Sequence, residues 1–291
     1  MHVLVTGGTG FIGTYLCNEL ADRGHDVTAL ARTPDGTDLV EDVATAVGDA
    51  TAYDSIDGAF EGQDAVVNLV SLSPLFKPRG GDEAHFEVHL GGTENVVRAA
   101  RAHGVDRIVQ MSGLGADPNG PTSFLRAKGQ AEEVVRESSL DWIIVRPSVV
   151  FGEGDEFVGF TKKLTPPGIA ALPGGGKTRF QPIWVGDLVP MLADAVEDDA
   201  HVGETYDIGG PEKLTLKEVA KLVRGRVAVI PIPMALAGVG LTVAGAIPGF
   251  PMGRDQYRSL GVDNTTADND VEAFGVDPSD LRTLSAYLKG R

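Results

Sequence analysis

Four glycines, Gly7, Gly8, Gly10 and Gly13, stand directly behind the short apolar run Val3-Leu-Val-Thr6 and just ahead of a segment with helical periodicity, Phe11 to Leu20. Each has a distinct use. Gly7 and Gly8 permit a tight turn, Gly10 lets backbone approach a pyrophosphate with no Cβ in the way, and Gly13 lets the helix pack closely on its strand. Free N–H groups and the dipole at the helix start favour negative charge there. Strand, turn and helix in this order read as the opening of a dinucleotide-binding βαβ unit, with Gly7, Thr9, Gly10, Phe11 and Ile12 as cofactor-binding residues.

The next strand, Asp26 to Ala31, decides which dinucleotide fits. NAD-selective units place an acid about 20 residues past the glycines to hold the ribose 2′-hydroxyl. Here the strand tip reads Ala31-Arg32-Thr33. A guanidinium in that place forms charge-assisted bonds to a 2′-phosphate and stacks on adenine, so NADP(H) is expected over NAD(H). Asp49 and Ala50, after the third strand, are expected at the adenine, and Leu69 and Val70, ending the fourth, complete this set.

Around these residues strands and helices alternate. Strands are expected at Thr45 to Val47, Ala65 to Val70, Arg107 to Met111 and Trp142 to Val145, with helices at Asp82 to His103 and Ser123 to Glu137. That pattern predicts an α/β fold, a Rossmann doubly wound parallel sheet covered on both faces. Residues 1–150 form the NAD(P)-binding core. Residues 151–291, punctuated by Pro166-Pro-Gly168 and Pro173-Gly-Gly-Gly176, complete that core and add a small C-terminal substrate lobe.

The chain of 291 residues carries 25 Lys+Arg against 41 Asp+Glu, a net charge of −16. Such a surface repels nucleic acid and anionic membranes. Its scarcity of lysine resembles proteins of salt-accumulating halophiles. The single Cys17 falls in the first helix and reads as a small buried apolar residue. Met1 opens straight into the first strand, with no signal-peptide pattern, so a cytoplasmic location is expected. From Val227 to Gly253 no residue is charged. Met234 to Ile247 reads there as an apolar helix, too short for a membrane span of about 20 residues. It is expected to be a packing helix, with a pocket wall or a peripheral membrane or complex contact as the alternatives.

Thr6-Gly-Gly-Thr-Gly-Phe-Ile-Gly13 resembles the TGxxGxxG turn of the short-chain dehydrogenase/reductases, extended and atypical branch. Gly91-Gly-Thr-Glu-Asn-Val-Val-Arg-Ala-Ala100 resembles that family's long central helix, Val105 to Ser112 its serine-bearing strand, and Ile144 to Gly152, with Pro147, its post-catalytic strand and cofactor loop. Phe180 to Asp187 resembles a lobe segment of extended members. Asp255-Gln-Tyr-Arg-Ser-Leu260 followed by Asp263-Asn264 resembles the subgroup containing the accessory nucleotide-binding subunit of respiratory complex I. The resemblance implies a Tyr-xxx-Lys pair one helical turn apart, the lysine anchoring the nicotinamide ribose and the tyrosine moving a proton. This sequence has Phe124-Leu-Arg-Ala-Lys128 instead. Lys128 survives as the catalytic-pair residue, Ser112 matches the serine that holds a substrate carbonyl, and His89 stands where many members have a water-organising Asn.

Two kinds of function follow from that departure. One is a reductase acting on a lipophilic, quinone- or isoprenoid-like carbonyl compound, with Lys128 or His89 supplying the proton. The other is a non-catalytic NADP(H) binder, as a sensor or an assembly subunit of a membrane redox complex. A nucleotide-sugar epimerase or dehydratase is a further alternative, and no His/Cys/acid cluster has metal-ligand spacing.

Overall fold

The computed structural model describes residues 1–34, 38–238 and 252–290. Its strands, in chain order, are β1 (His2–Thr6), β2 (Asp26–Ala31), β3 (Ala44–Val47), β4 (Ala65–Asn68), β5 (Arg107–Met111), β6 (Asp141–Pro147), β7 (Val150–Phe151), β8 (Gly168–Pro173), β9 (Arg179–Phe180), β10 (Ile183–Trp184), β11 (Thr205–Ile208), β12 (Leu214–Thr215) and β13 (Val227–Ile232). Seven of them make one parallel sheet in the order β11-β6-β5-β4-β1-β2-β3. From β1 the chain winds one way through β2 and β3 and the other way through β4, β5, β6 and β11. The order therefore reverses between β1 and β4, and a crevice opens at their carboxyl ends, where doubly wound sheets bind ligands.

Alternation of side chains builds the two faces. On one, Val3, Val5, Val67, Val109, Ile143 and Val145 pack against the helices Phe11–Asp22 and Val185–Glu197. On the other, Leu4, Leu30, Val66, Ile108 and Ile144 meet the helices Gly92–His103 and Ser123–Arg136. Strands buried on both faces favour apolar residues, which is why the central strands are rich in Val, Ile and Leu away from their carboxyl ends. Burying a side chain such as Leu4 contributes about 1.5–3 kcal/mol.

At the carboxyl ends a small polar network replaces this packing. Thr6 donates to Asn68 Oδ1 at 2.7 Å, and Asn68 Nδ2 donates to Thr93 Oγ1 at 3.2 Å and Gln110 Oε1 at 2.9 Å. It fastens β1, β4 and β5 to the central helix just below the crevice. That helix is not uniform: Glu83–His85 and Gly92–His103 are α-helical, but Phe86–Gly91 takes the wider π turn, a feature frequent at functional sites.

Beyond β6, the helix Val185–Glu197 and β11 return to complete the sheet. The remaining strands pair as β7–β10, β8–β13 and antiparallel β9–β12. The uncharged stretch from Val227 therefore begins as a strand. The expected helix Met234 to Ile247 lies mostly outside the described residues. Among the described residues no helix is long and apolar enough to cross a membrane.

Candidate functional site

The glycine turn is built from two kinds of constraint. A Cβ on Gly8 would lie 2.7 Å from the Ala29 Cβ, and one on Gly13 would lie 2.2 Å from the Gly7 carbonyl oxygen, so the packing of strand, turn and helix itself requires both glycines. Gly7 has φ +76°, and its N–H donates to the Leu30 carbonyl at 2.9 Å. Gly10 differs, since a Cβ there would meet only the Gly7 oxygen, at 3.2 Å. Its outer side is open. Gly10 also precedes the helix Phe11–Asp22 in extended conformation, with no side-chain cap and no acid in the first turn. The helix start thus offers free N–H groups and an uncontested positive dipole end across a gap that a Cβ would narrow, which fits a dinucleotide pyrophosphate.

The other expected cofactor residues lie at or past the carboxyl ends of β2, β3, β4 and β6, and at the first turn of the helix after β1. The backbone at Leu69 and Val70 runs 3.4 Å from where a Cβ on Gly7 would be, and the Leu69 N–H donates to the Thr6 carbonyl at 3.0 Å. Phe11 lies against the loop after β7, where a Cβ on Gly152 would approach its ring to 3.2 Å. Arg32 is exposed immediately past β2, and no described residue pairs with its guanidinium. Asp49 is partly committed, because its Oδ1 accepts from the Thr51 N–H at 3.0 Å and the Thr51 hydroxyl at 2.9 Å. The Ala50 carbonyl accepts from Asn95 at 2.9 Å, tying this loop to the central helix. The Pro147 carbonyl accepts from the Leu114 N–H at 3.1 Å and holds the loop after β5 against β6.

At the other end of the crevice, the helix Ser123–Arg136 carries Phe124 and Lys128 one turn apart. Lys128 is fully buried, and its Nζ donates to the Met111 carbonyl at 2.9 Å. Burial pushes its ammonium down to about 8, against the opposing pull of Glu132. Ser112 is buried with its N–H on the Val145 carbonyl at 2.7 Å, and its Oγ has no hydrogen-bond partner among the described residues. Phe124 lies over Gly113, where a Cβ would come within 3.6 Å of its ring.

Phe124 is also gripped from the central helix. The rings of His85 and His89 meet it edge-on, with centroids at 5.8 and 5.2 Å. Both histidines are buried, and His85 Nδ1 and His89 Nε2 are 3.4 Å apart. The outer nitrogens, His85 Nε2 and His89 Nδ1, have no partner among the described residues. Burial, with the charge on Lys128 adding to it, holds both rings below the usual imidazole range, against the opposing pull of Asp255 and Asp82 at His85, so both are neutral at pH 7. Asp255, itself buried, reaches in from the C-terminal segment and accepts from the Ser123 N–H at 2.5 Å, capping the helix that bears Phe124 and Lys128.

Sequence reasoning placed His89, Ser112 and Lys128 in this corner but missed His85, Asp255 and Glu132. The i, i+4 spacing of His85 and His89 was a usable signal. Asp255, 132 positions from its partner, left none. No group of three or more His, Cys, Asp or Glu suited to a metal ion occurs among the described residues.

Residues 7–167 match a family model described as NAD(P)H-binding. Along 98% of its length the chain is 30% identical to the mitochondrial NADH dehydrogenase (ubiquinone) 1 alpha subcomplex subunit 9 of Arabidopsis thaliana, covering 75% of that protein. Over 75% of its length it is 30% identical to 2-alkyl-3-oxoalkanoate reductase of Stenotrophomonas maltophilia, covering 73% of it. The crystal structure of a nucleoside-diphosphate-sugar epimerase from Staphylococcus aureus superposes with a TM-score of 0.77 at 20% identity, across 99% of this chain and all of that one, a likeness of fold.

Proposed function

The chain belongs to the NAD(P)H-binding family, in the short-chain dehydrogenase/reductase branch that includes epimerase-like proteins, and from that premise we propose that it is an NADPH-dependent reductase of a lipophilic carbonyl compound. One observation carries this reading. Ser112 Oγ and His89 Nδ1 are both buried and lack partners among the described residues, with the His89 ring edge-on to Phe124, which stands where a proton-donating tyrosine would, and Ser112 next to Gly113, over which Phe124 lies. A buried polar atom without a partner costs about 1–3 kcal/mol. A protein that only stored its cofactor would gain by pairing these groups, whereas a substrate carbonyl pairs them during reaction.

In this reading Gly7, Thr9, Gly10, Phe11 and Ile12 hold the pyrophosphate, Arg32 takes the 2′-phosphate, and Asp49 and Ala50 border the adenine. Leu69, Val70 and Pro147 wall the ribose and nicotinamide, and Lys128 keeps N–H groups beyond the Met111 bond for the ribose hydroxyls. The bound dinucleotide supplies the hydride. Ser112 donates to the carbonyl oxygen and so orients it. Phe124 cannot move a proton, but its ring gives the substrate an apolar face. That apolar face selects lipophilic ligands over sugar nucleotides.

Phe124 itself favours a second reading, a non-catalytic NADP(H) holder within a larger redox assembly. The two separate in one experiment: mass spectrometry of the purified protein for co-purifying dinucleotide, followed by NADPH oxidation with 2-undecanone and, in parallel, thermal shift with UDP-glucose. Turnover of the ketone is expected, and a Phe124→Tyr variant should accelerate it. Bound dinucleotide without turnover in either protein selects the holder, and stabilisation by UDP-glucose alone overturns the lipophilic site.

A further inference from the structure

The two histidines that grip Phe124 form more than a packing contact. Their rings are nearly parallel, 13° between planes with centroids 5.5 Å apart, and the facing nitrogens are 3.4 Å apart. A neutral imidazole carries one N–H and one bare nitrogen. For the facing pair to bond, one ring donates and the other accepts, which forces both rings into the same tautomer. If His85 Nδ1 carries the proton, His89 must carry its own on Nδ1; if His89 Nε2 donates, His85 is protonated on Nε2. The outer nitrogens, both buried and unpartnered among the described residues, are then always one donor and one acceptor.

We infer that His85 and His89 act as a two-imidazole proton relay that replaces the missing tyrosine, with His89 as the catalytic donor to the substrate and His85 as the positioning residue that reprotonates it. This deepens the reductase reading and rests on it. The step balances as follows. The carbonyl carbon takes the hydride that a bound dinucleotide would supply, and the carbonyl oxygen takes the proton from His89 Nδ1. His89 Nε2 takes the proton from His85 Nδ1, and His85 Nε2 takes one from a solvent acid; both rings, now protonated on Nε2, return to the Nδ1 tautomer by proton exchange with solvent before the next turnover. One hydride and one solvent proton are consumed, and neither ring becomes a cation.

That last property suits the surroundings. An imidazolium is disfavoured at both rings by burial and by the nearby Lys128, whereas the concerted shift needs no buried charge. At His85, the end that takes up a proton, the carboxylates Asp255 and Asp82 oppose that effect, while among the described residues no carboxylate is resolved as doing so at His89. Asp255 Oδ1 is itself buried without a hydrogen-bond partner, with only Arg258 Nη1 near it at 3.7 Å. The π turn at Phe86–Gly91 contains His89 but not His85, so it resets the register of one ring relative to the other.

The test has two readouts on the full chain. Long-range 1H–15N spectra of histidine-labelled protein with NADP+ should show both rings neutral at pH 7 and in the same tautomer. Single-turnover oxidation of NADPH with 2-undecanone should fall about tenfold or more in His85→Phe, a variant that keeps a ring against Phe124, with NADPH affinity unchanged, and a His85→Ala variant, which leaves room for a ring, should regain part of its rate with added imidazole. Opposite tautomers, a charged ring at pH 7, or a His85→Phe rate equal to wild type overturns the relay while leaving the reductase intact. Matched tautomers in a wild type that binds NADPH but reduces no ketone overturn the reductase reading, and the relay's role with it.

Discussion

A Lys128→Met variant replaces a fully buried ammonium with an apolar side chain of similar length, and the consequence for stability can be worked out. Burial lowers this group from its ordinary 10.5 to about 8, a gap of about 2.5 pH units. At about 1.36 kcal/mol per unit, the charged lysine costs the fold about 3 kcal/mol relative to the unfolded chain. The cost is present in full below pH 8. Between about 8 and 10.5 the unfolded chain still binds the proton that the folded chain has released, so wild-type stability rises through that window, and above 10.5 the cost is gone. Methionine has no such dependence. Urea unfolding of both proteins without dinucleotide, at pH 7 and at pH 10.5, should therefore show the variant's relative stability falling by about 3 kcal/mol between the two, since other titrations cancel in the difference. The variant should also bind NADP(H) more weakly at pH 7, by about 1–3 kcal/mol for a lost charged hydrogen bond. A stability difference that does not change with pH would mean that Nζ is solvated, and the burial argument would fall.

Gly13→Ala, which forces a Cβ to 2.2 Å from the Gly7 oxygen, should lower stability by about 1–3 kcal/mol and abolish dinucleotide binding in an NADPH fluorescence titration; wild-type binding would refute the turn geometry. Arg32→Ala should reduce a preference for NADPH over NADH by about tenfold, since a charge-assisted bond to the 2′-phosphate is lost, and equal affinities in the wild type would remove the argument. Glu132 is buried and bonds Arg146 twice, at 2.8 and 2.6 Å, so Glu132→Gln should cost about 3 kcal/mol by urea denaturation. It should also extend the Lys128 stability window to lower pH at its lower edge, the upper edge staying at the unfolded value, because Glu132 is the group that opposes burial there.

The sheet was legible because its information is local. β2 and β5 fall on the expected Asp26 to Ala31 and Arg107 to Met111, since each carries a short apolar stretch with β-branched residues, and the glycine turn declares itself by spacing. The π turn was not legible. Asp82 to His103 reads as one helix, and nothing in its periodicity marks the widened turn at Phe86–Gly91. β8 was missed because Pro166-Pro-Gly168 and Pro173 read as loop, whereas in the structure they bracket a strand whose only partner is β13. In the site, Lys128 and Ser112 stand out by motif, but the burial of Glu132 and the reach of Asp255 depend on elements distant in sequence. Composition sets the net negative charge; it does not explain which carboxylates turn inward.

The Asp255 cap also has a temporal side. The N–H it accepts from belongs to Ser123, 132 positions earlier, and Asn264 likewise reaches back to Ser148 and the Val149 N–H. A chain emerging from the ribosome can assemble β1 to β6 from its first half, but the helix holding Phe124 and Lys128 must wait for its terminal clasp. At about 5–20 residues per second that delay is roughly 7–26 s. For that interval the growing protein holds the glycine turn beside a helix whose Asp255 contact has yet to form, and the corner becomes fixed only once that segment has been made.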